Sequence, residues 1–160
     1  MKITFRPVTL DDAEIIFSWL NDAETRAASV NTKPIVWKGH LEWLQKKMAD
    51  PNYHLDLGEI DGDPVGYFRM EQCTDATHGL HGYVSYIIGP AHRGKGFGKT
   101  LVHSYVGQWP SMPIILDVRD SNKASIRIIQ SLPGIVEIEG STLEDGTRLR
   151  KFIRRPLTTS

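Results

Sequence analysis

The sequence predicts an α/β chain of the α+β arrangement: a central mixed sheet, mostly antiparallel, of about six or seven strands with helices on both faces. Three observations carry that prediction. Apolar residues alternate at period two in some segments and recur at three and four in others. The resulting order is strand, helices, three strands, helix, strand, helix, two strands, which a strict strand–helix alternation would not give. The 160 residues, 40% of them apolar, suffice for one core and show no linker, repeat or low-complexity stretch. One domain is expected over residues 1–156, with a short polar tip at 157–160.

Residues 2–8 alternate as a first strand. Thr9, three residues before Asp12, has the spacing of a helix cap with acidic residues in the first turn. Ala13, Ile16, Phe17 and Leu20 then mark one face of a helix ending near Asn21. A short second helix is expected over 23–28. Asn31 to Pro34 reads as a loop, and Trp37, Leu41, Leu44 and Met48 trace a third helix that stops at Asp50-Pro51. Strands follow at 53–60 and 64–72 around Asp61-Gly62, a two-residue hairpin signal. Thr74 to Gly79 is polar and turn-like, with His78 and His81 flanking it. Residues 82–88 are apolar, aromatic and β-branched, as a buried strand would be, and Gly89-Pro90 ends them. Phe97, Leu101, Val102, Tyr105, Val106 and Trp109 share one helix face. A strand at 114–118, a helix at 122–132 and a strand at 135–140 come next. Glu144-Asp145-Gly146 then turns the chain into a last strand at 147–154, whose basic residues from Arg148 to Arg155 read as its solvent face.

Composition excludes several functions. Nineteen basic and nineteen acidic side chains cancel, so no global field draws the protein to nucleic acid or to an anionic membrane. A single cysteine, Cys73, allows no intrachain disulfide and no cysteine zinc cluster; it reads as a small strand residue or an acyl-accepting nucleophile. The histidines lack metal-ligand spacing, so no metal is expected. No apolar run reaches roughly 18 residues and Met1 to Val8 lack a signal-like core, which predicts a cytoplasmic protein without a membrane span. Either a monomer or a homodimer is compatible with the sequence.

The chemistry is concentrated between Tyr83 and Thr100: buried strand, Gly-Pro break, then Arg93-Gly94-Lys95-Gly96-Phe97-Gly98 leading into a helix. Glycines let the backbone approach an anion closely, and a helix start presents free N–H groups and the positive end of its dipole. Arg93 and Lys95 add charge, with Lys99 and Thr100 one turn on. Such a segment suits a phosphate or diphosphate. Gly89 to Lys95 matches the first seven positions of a nucleoside-triphosphate loop, but Gly96 stands where Ser or Thr must hold magnesium. The dinucleotide spacing fails by one residue.

Arg93, Gly96 and Gly98 occupy the fixed positions of Gln/Arg-x-x-Gly-x-Gly/Ala, and in this the sequence resembles the GNAT superfamily of N-acetyltransferases. The resemblance spans essentially the whole chain. It implies the GNAT fold, acetyl-CoA as cosubstrate, and a splayed strand at 82–89 whose backbone around Ile87 and Ile88 binds the pantetheine arm as an added strand would. It also implies that Asn122-x-x-Ser125-Ile126-Arg127 is the second CoA-contacting element, although Asn122 equally suits a helix cap. Trp19-Leu20-Asn21-Asp22, Arg26, Asn31-x-x-Pro34-Ile35 and His40-x-x-Trp43 resemble the branch acting on nucleotide-linked amino sugars in pseudaminic-acid-type pathways. On that reading Arg26, Asn31 and His40 contact substrate, Lys33 joins Arg26 in meeting a diphosphate, and Trp19, Trp37 and Trp43 line a sugar pocket or fill the core.

The implied reaction is direct attack of a neutral amine on the thioester, with an N–H near Ile88 holding the oxyanion. Many members carry a tyrosine seven residues after the asparagine to protonate the thiolate; here that position is Ile129, so the acid is open between water, Tyr83 and Tyr86. Glu71, His81 and, through water, Ser85 are the candidate bases. Three functions remain at this stage: acetyl transfer to a small amine, acetylation of a protein terminus or lysine, and a CoA-binding module without catalysis.

Overall fold

In the computed structural model, which describes residues 1–157, the first strand is β1 (Ile3–Pro7), and a 3-10 turn leads into α1 (Ala13–Leu20). The helices α2 (Ala23–Ala28) and α3 (Trp37–Met48) follow. Next come the long strands β2 (Tyr53–Ile60), β3 (Asp63–Asp75) and β4 (Gly79–Ile88). The chain finishes with α4 (Phe97–Val106), β5 (Ile114–Arg119), α5 (Lys123–Gln130), β6 (Ile135–Thr142) and β7 (Arg148–Arg154). Apart from Leu157, the polar tip expected at 157–160 lies outside the described residues.

Seven strands make one sheet in the order β1-β2-β3-β4-β5-β7-β6. Every neighbouring pair is antiparallel except β4 and β5. That mixed, mostly antiparallel sheet is the fold the sequence predicts. Helices cover both faces because the strands alternate their apolar residues. Phe68 and Met70 of β3, Val84 of β4 and Ile114, Leu116 and Val118 of β5 pack under α4 and α5. Leu55, Leu57 and Tyr67 point the other way, under Ala13, Ile16 and Trp19 of α1 and Leu44 of α3.

Three expectations change. The hairpin between β3 and β4 runs further than its polar sequence suggests: Cys73↔His81, Thr74↔Leu80 and Asp75↔Gly79 continue the ladder. Main-chain bonding extends it without any apolar face, so His81 lies on a strand and is only 4% exposed. The α5 helix is shorter than 122–132, since Asn122 caps it and the chain turns after Gln130. The basic finish is not simply a solvent face. Arg154 is 2% exposed, and its guanidinium donates to the carbonyls of Val106, Trp109 and Met112 just past α4. The negative end of a helix dipole attracts a cation, and the fold buries one there.

The start of α1 is fixed by charge. Arg6 on β1 donates two bonds of 2.8 Å to the carboxylate of Asp12, which also accepts from the Thr9 amide at 2.8 Å. Arg6 reaches Glu59 on β2 as well, at 3.3 Å. The Arg6 guanidinium holds the Asp12 carboxyl below the usual aspartate range, and Asp12 is only 8% exposed. A carboxylate with a lowered folded pKa stabilises above its unfolded pKa and loses that contribution as pH falls through its folded value. Asp12→Asn therefore lowers stability at pH 7 by about 1–3 kcal/mol. The deficit shrinks as pH is taken below the ordinary aspartate range; urea unfolding of both proteins at pH 7 and pH 3 measures it.

Candidate functional site

The centre of the sheet holds a fork. The strands β4 and β5 pair only at Gly82↔Ile114 and Tyr83↔Ile115, and beyond these the two separate. Main-chain groups of alternate residues point to alternate neighbours. The Gly82 amide donates across to Pro113 and the Gly89 amide donates to Val65 on the β3 side. By that alternation Val84, Tyr86 and Ile88 aim their main-chain groups into the fork, while Tyr83, Ser85 and Ile87 spend theirs on β3. The backbone expectation therefore holds differently for its two residues. Ile88 has main-chain groups in the fork, whereas Ile87 offers only a side chain, packed toward Trp19 and the α1 side.

The fork opens onto the glycine-rich turn. Gly94 and Gly96 have φ of 75° and 77°, the left-handed region that side chains disfavour, and Gly96 is the N-cap of α4. A Cβ on either would meet nothing within 4 Å, so backbone conformation explains both. Gly98 has a different cause: a Cβ there would lie 3.0 Å from Ile128 and 3.5 Å from Ile88, so a glycine lets α4 approach α5 and β4. Phe97 and Gly98 begin α4 and have no helical acceptor for their amides. Lys95 and Lys99 are exposed beside them, and Thr100 Oγ1 donates back to the Gly96 carbonyl at 3.4 Å.

Arg93 does not join this cluster through its side chain. Its guanidinium donates to Asp22 and Glu24, each at 2.7 Å, to the Thr25 hydroxyl at 2.9 Å and to the Ile88 carbonyl at 3.1 Å. It ties α2 to the end of β4. The charge expected for a phosphate is thereby neutralised by two carboxylates, and the Arg93 guanidinium holds the Asp22 carboxyl below its ordinary range. On the other side of the fork, Asn122 caps α5 by accepting from the Ser125 amide at 3.2 Å. The Ser125 hydroxyl lies 2.5 Å from that of Tyr86, which joins β4 to α5. Burial pushes the Tyr86 phenol up to about 12. Ile129 is 1% exposed and belongs to the core under α5, whereas the Tyr86 hydroxyl reaches that helix from the strand.

The candidate bases separate. Ser85 is two residues beyond the last β4–β5 pair, inside the fork, and its hydroxyl accepts from Arg69 at 3.0 Å. Glu71 is half-buried on β3 opposite Tyr83, level with the base of the fork and one strand away. His81 precedes the fork; its Nδ1 is 2.9 Å from the Gly79 carbonyl, and Ile88 is seven residues along the strand, about 23 Å. Its placement takes it out of reach. Cys73 sits beside it on β3, half-buried, and burial pushes its thiol up, which disfavours a nucleophilic thiolate.

The proposed substrate contacts also change. Arg26 donates to the carbonyls of Leu20, Asn31 and Lys33 and to the Ser29 hydroxyl, so it fastens the loop after α2 and has little left for a ligand. Asn31 closes the same loop by accepting from the Lys33 amide at 3.0 Å. His40 is 5% exposed between α1 and α3, with Nε2 3.0 Å from the Ala13 carbonyl, and burial holds its pKa below the ordinary value. It is a core residue. Trp19 belongs to the core as well, Trp37 packs edge-on against Phe17, and Trp43 lies under the Arg69 guanidinium.

A cleft of about 470 Å³ lies between the loop after α2 and the turn joining β6 to β7, lined by Val30, Lys33, Arg119, Glu144 and Asp145 among others. Sequence reasoning missed it, because its walls are about 110 residues apart along the chain. Arg119, at the end of β5, braces it by donating to the Ser29 carbonyl at 2.7 Å, the Val30 carbonyl at 3.1 Å and Asp145 at 2.9 Å. The Thr147 amide, together with Arg119, holds the Asp145 carboxyl down at about 2.

Residues 2–133 match the sequence model of the acetyltransferase (GNAT) domain. A search of curated proteins finds no match to the sequence. Among solved structures, the fold is similar to spermidine N-acetyltransferase from Vibrio cholerae in complex with CoA and spermine. That likeness has a TM-score of 0.81 and 18% identity over 94% of each chain. It is also similar to aminoglycoside acetyltransferase AAC(6')-Ib in complex with coenzyme A and kanamycin, with TM-score 0.76, 21% identity and 94% of each chain covered. A putative phosphinothricin N-acetyltransferase superposes at TM-score 0.79, with 20% identity over 99% of this chain and all of that one.

Two substitutions separate the roles within the turn. Arg93→Met loses charge-assisted bonds to α2 and lowers unfolding free energy by about 1–3 kcal/mol. Gly96→Ala forces a side chain into the left-handed region at a cost of about 1–2 kcal/mol. Urea unfolding at constant m-value reads both, and an unchanged midpoint for Arg93→Met would show that its ties to α2 carry no weight.

Proposed function

The chain belongs to the GNAT acetyltransferase family, and from that premise we propose that it transfers the acetyl group of acetyl-CoA to a primary amine on a small molecule. The observation that carries the reading is the fork: the main-chain groups of Tyr86 and the Ile88 N–H, which β5 does not take up, lead directly to the uncapped amides at the start of α4. An extended pantetheine arm can add to β4 as a strand would, and a diphosphate can sit on the amides of the turn. Lys95 and Lys99 supply the charge that Arg93 spends on α2. The Ile88 N–H is the donor placed to hold the oxyanion of the tetrahedral intermediate. Tyr86, half-buried and bonded to Ser125, reaches α5 through its hydroxyl and is the candidate donor to the departing thiolate. The Ser125 and Asn122 side chains then act by fixing α5 and Tyr86 beside the arm.

The acceptor enters on our reading through the cleft between the loop after α2 and the β6–β7 turn. A nucleotide-linked amino sugar remains the acceptor suggested by the N-terminal sequence. Its diphosphate would be met by Lys33, since Arg26 is committed to carbonyls. A polyamine or aminoglycoside is the second reading, favoured by Glu144 and Asp145 on the opposite wall. The cleft's size suits a small molecule better than a folded protein terminus. In the absence of a long, apolar helix among the described residues, no helical membrane anchor enters the proposal.

Acetyl-CoA raises the melting temperature of the protein and magnesium ATP does not; the reverse result would overturn the proposal. Lys95→Ala and Lys99→Ala weaken CoA binding and flatten its dependence on salt, as lost phosphate contacts must. Release of free thiol from acetyl-CoA, measured with spermidine, kanamycin and a uridine-diphosphate-linked amino sugar, identifies the acceptor class. A protein that binds acetyl-CoA yet acetylates no amine or peptide would be a binding module instead.

A further inference from the structure

Past its last pair with β5, β4 contributes Val84 to Ile88, and β5 contributes Leu116 to Arg119. In these walls Asp117 is the sole carboxylate. Ile114, Leu116 and Val118 point into the core under α4 and α5, so Ile115, Asp117 and Arg119 project to the opposite face. Arg119 establishes what that face meets, because its guanidinium bonds the carbonyls of Ser29 and Val30 at the rim of the cleft. Asp117 is thus two residues up the fork from Ile115 and two residues in from the cleft. Ser85 occupies the corresponding place on β4, two residues past Tyr83.

The Asp117 carboxylate has one oxygen, Oδ1, buried without a hydrogen-bond partner among the described residues. A carboxylate oxygen in that condition is costly unless a donor arrives, and most such atoms in folded proteins are satisfied. The charged groups around it are few. Lys151 faces it across the β5–β7 ladder, at the register Asp117↔Lys151. Arg119 on its own strand is held by Asp145 and two carbonyls, and Arg69 of β3 is held by Ser85. Lys33 lies in the loop after α2, on the cleft wall. Burial pushes the Asp117 carboxyl above the usual aspartate range and Lys151 opposes the shift, which makes the group a stronger base than a solvated aspartate.

We infer that Asp117 is the proton acceptor of the fork, taking one proton from the ammonium group of the amine substrate. This rests on the reading that acetyl-CoA occupies the fork. The freed nitrogen lone pair attacks the thioester carbonyl carbon, forming the C–N bond and a tetrahedral intermediate whose collapse breaks the C–S bond. Tyr86 gives its proton to the departing thiolate and is restored by the second nitrogen-bound proton, and Asp117 returns its proton to water. Glu71 is one strand removed and His81 lies before the fork, whereas Asp117 is on the β5 wall of the fork, two residues from Arg119 in the cleft through which we bring the amine.

Asp117→Asn keeps the side chain's shape and removes its charge; Lys151→Met removes the facing cation. With acetyl-CoA and spermidine or kanamycin as probes, Asp117→Asn lowers kcat at pH 7 by about 100-fold or more. The stabilisation of the protein by acetyl-CoA is retained, which shows that the variant folds and binds. Lys151→Met moves the acidic limb of the kcat profile to higher pH, since losing the cation disfavours the carboxylate. Activity of Asp117→Asn within about threefold of wild type overturns the inference, as does a rise in the KM for amine with kcat unchanged. Carboxyl carbon NMR gives a readout that needs no turnover: besides Asp56, whose carboxyl burial also raises, one further aspartate titrates above the ordinary range, and its signal is missing in Asp117→Asn. Titration of Asp117 in the ordinary range overturns the inference whatever the amine panel shows. Failure of the wild type to bind acetyl-CoA, by contrast, removes the proposed function.

Discussion

Because β4 and β5 share main-chain bonds at only two positions, the far halves of both strands face each other with unpaired N–H and C=O groups in the middle of the sheet. A protein rarely leaves such groups in its interior. The parting is held open from both sides. The packing of α4 and α5 against β4 and β5 fixes the strands from below, and the α1–α3 layer with Arg119 fixes them from above. Arg93 then caps the end of β4 by donating to the Ile88 carbonyl while its other nitrogens hold α2. Fold and site are on our proposal one construction: the same separation that interrupts the sheet creates the slot that a linear ligand would complete.

The charges are arranged for position as much as for binding. The three arginines most readily read as ligand contacts or surface charge, Arg26, Arg93 and Arg154, are largely spent on carbonyls or carboxylates of the protein. Each donates to main-chain carbonyls at the end of a helix, a strand or a loop, a task for which the planar five-donor guanidinium is suited. Lys95 and Lys99, by contrast, are exposed beside the start of α4. Asp117 is the opposite case, with one carboxylate oxygen unpartnered among the described residues, and on our inference its place beside the fork gives that shortage a chemical meaning.

Much of this was legible in the linear order of residues. Period-two and period-three-to-four patterning located the strands and helices, because burial on one face leaves that record locally. The turn at Asp61-Gly62, the stop at Gly89-Pro90 and the glycines at 94 and 96 were readable because backbone conformation restricts those positions residue by residue. The family resemblance came from the same segment, since the spacing of arginine and glycines around a helix start is a local constraint too.

Tertiary structure alone decided which polar side chains remain available. A sequence shows that Arg93, Arg26, His40 and His81 are polar, but not that two carboxylates from α2 claim the first, that three carbonyls claim the second, or that burial encloses the histidines. Nor does it show that Ile88 and Ile87, adjacent in the chain, send their main-chain groups to opposite neighbours, or that Asp117 Oδ1 is buried without a donor among the described residues. The physical reason is common to all of these. Propensity and patterning act over a few residues, whereas the pairing of a hydrogen-bonding group depends on whatever the fold brings within about 3 Å of it.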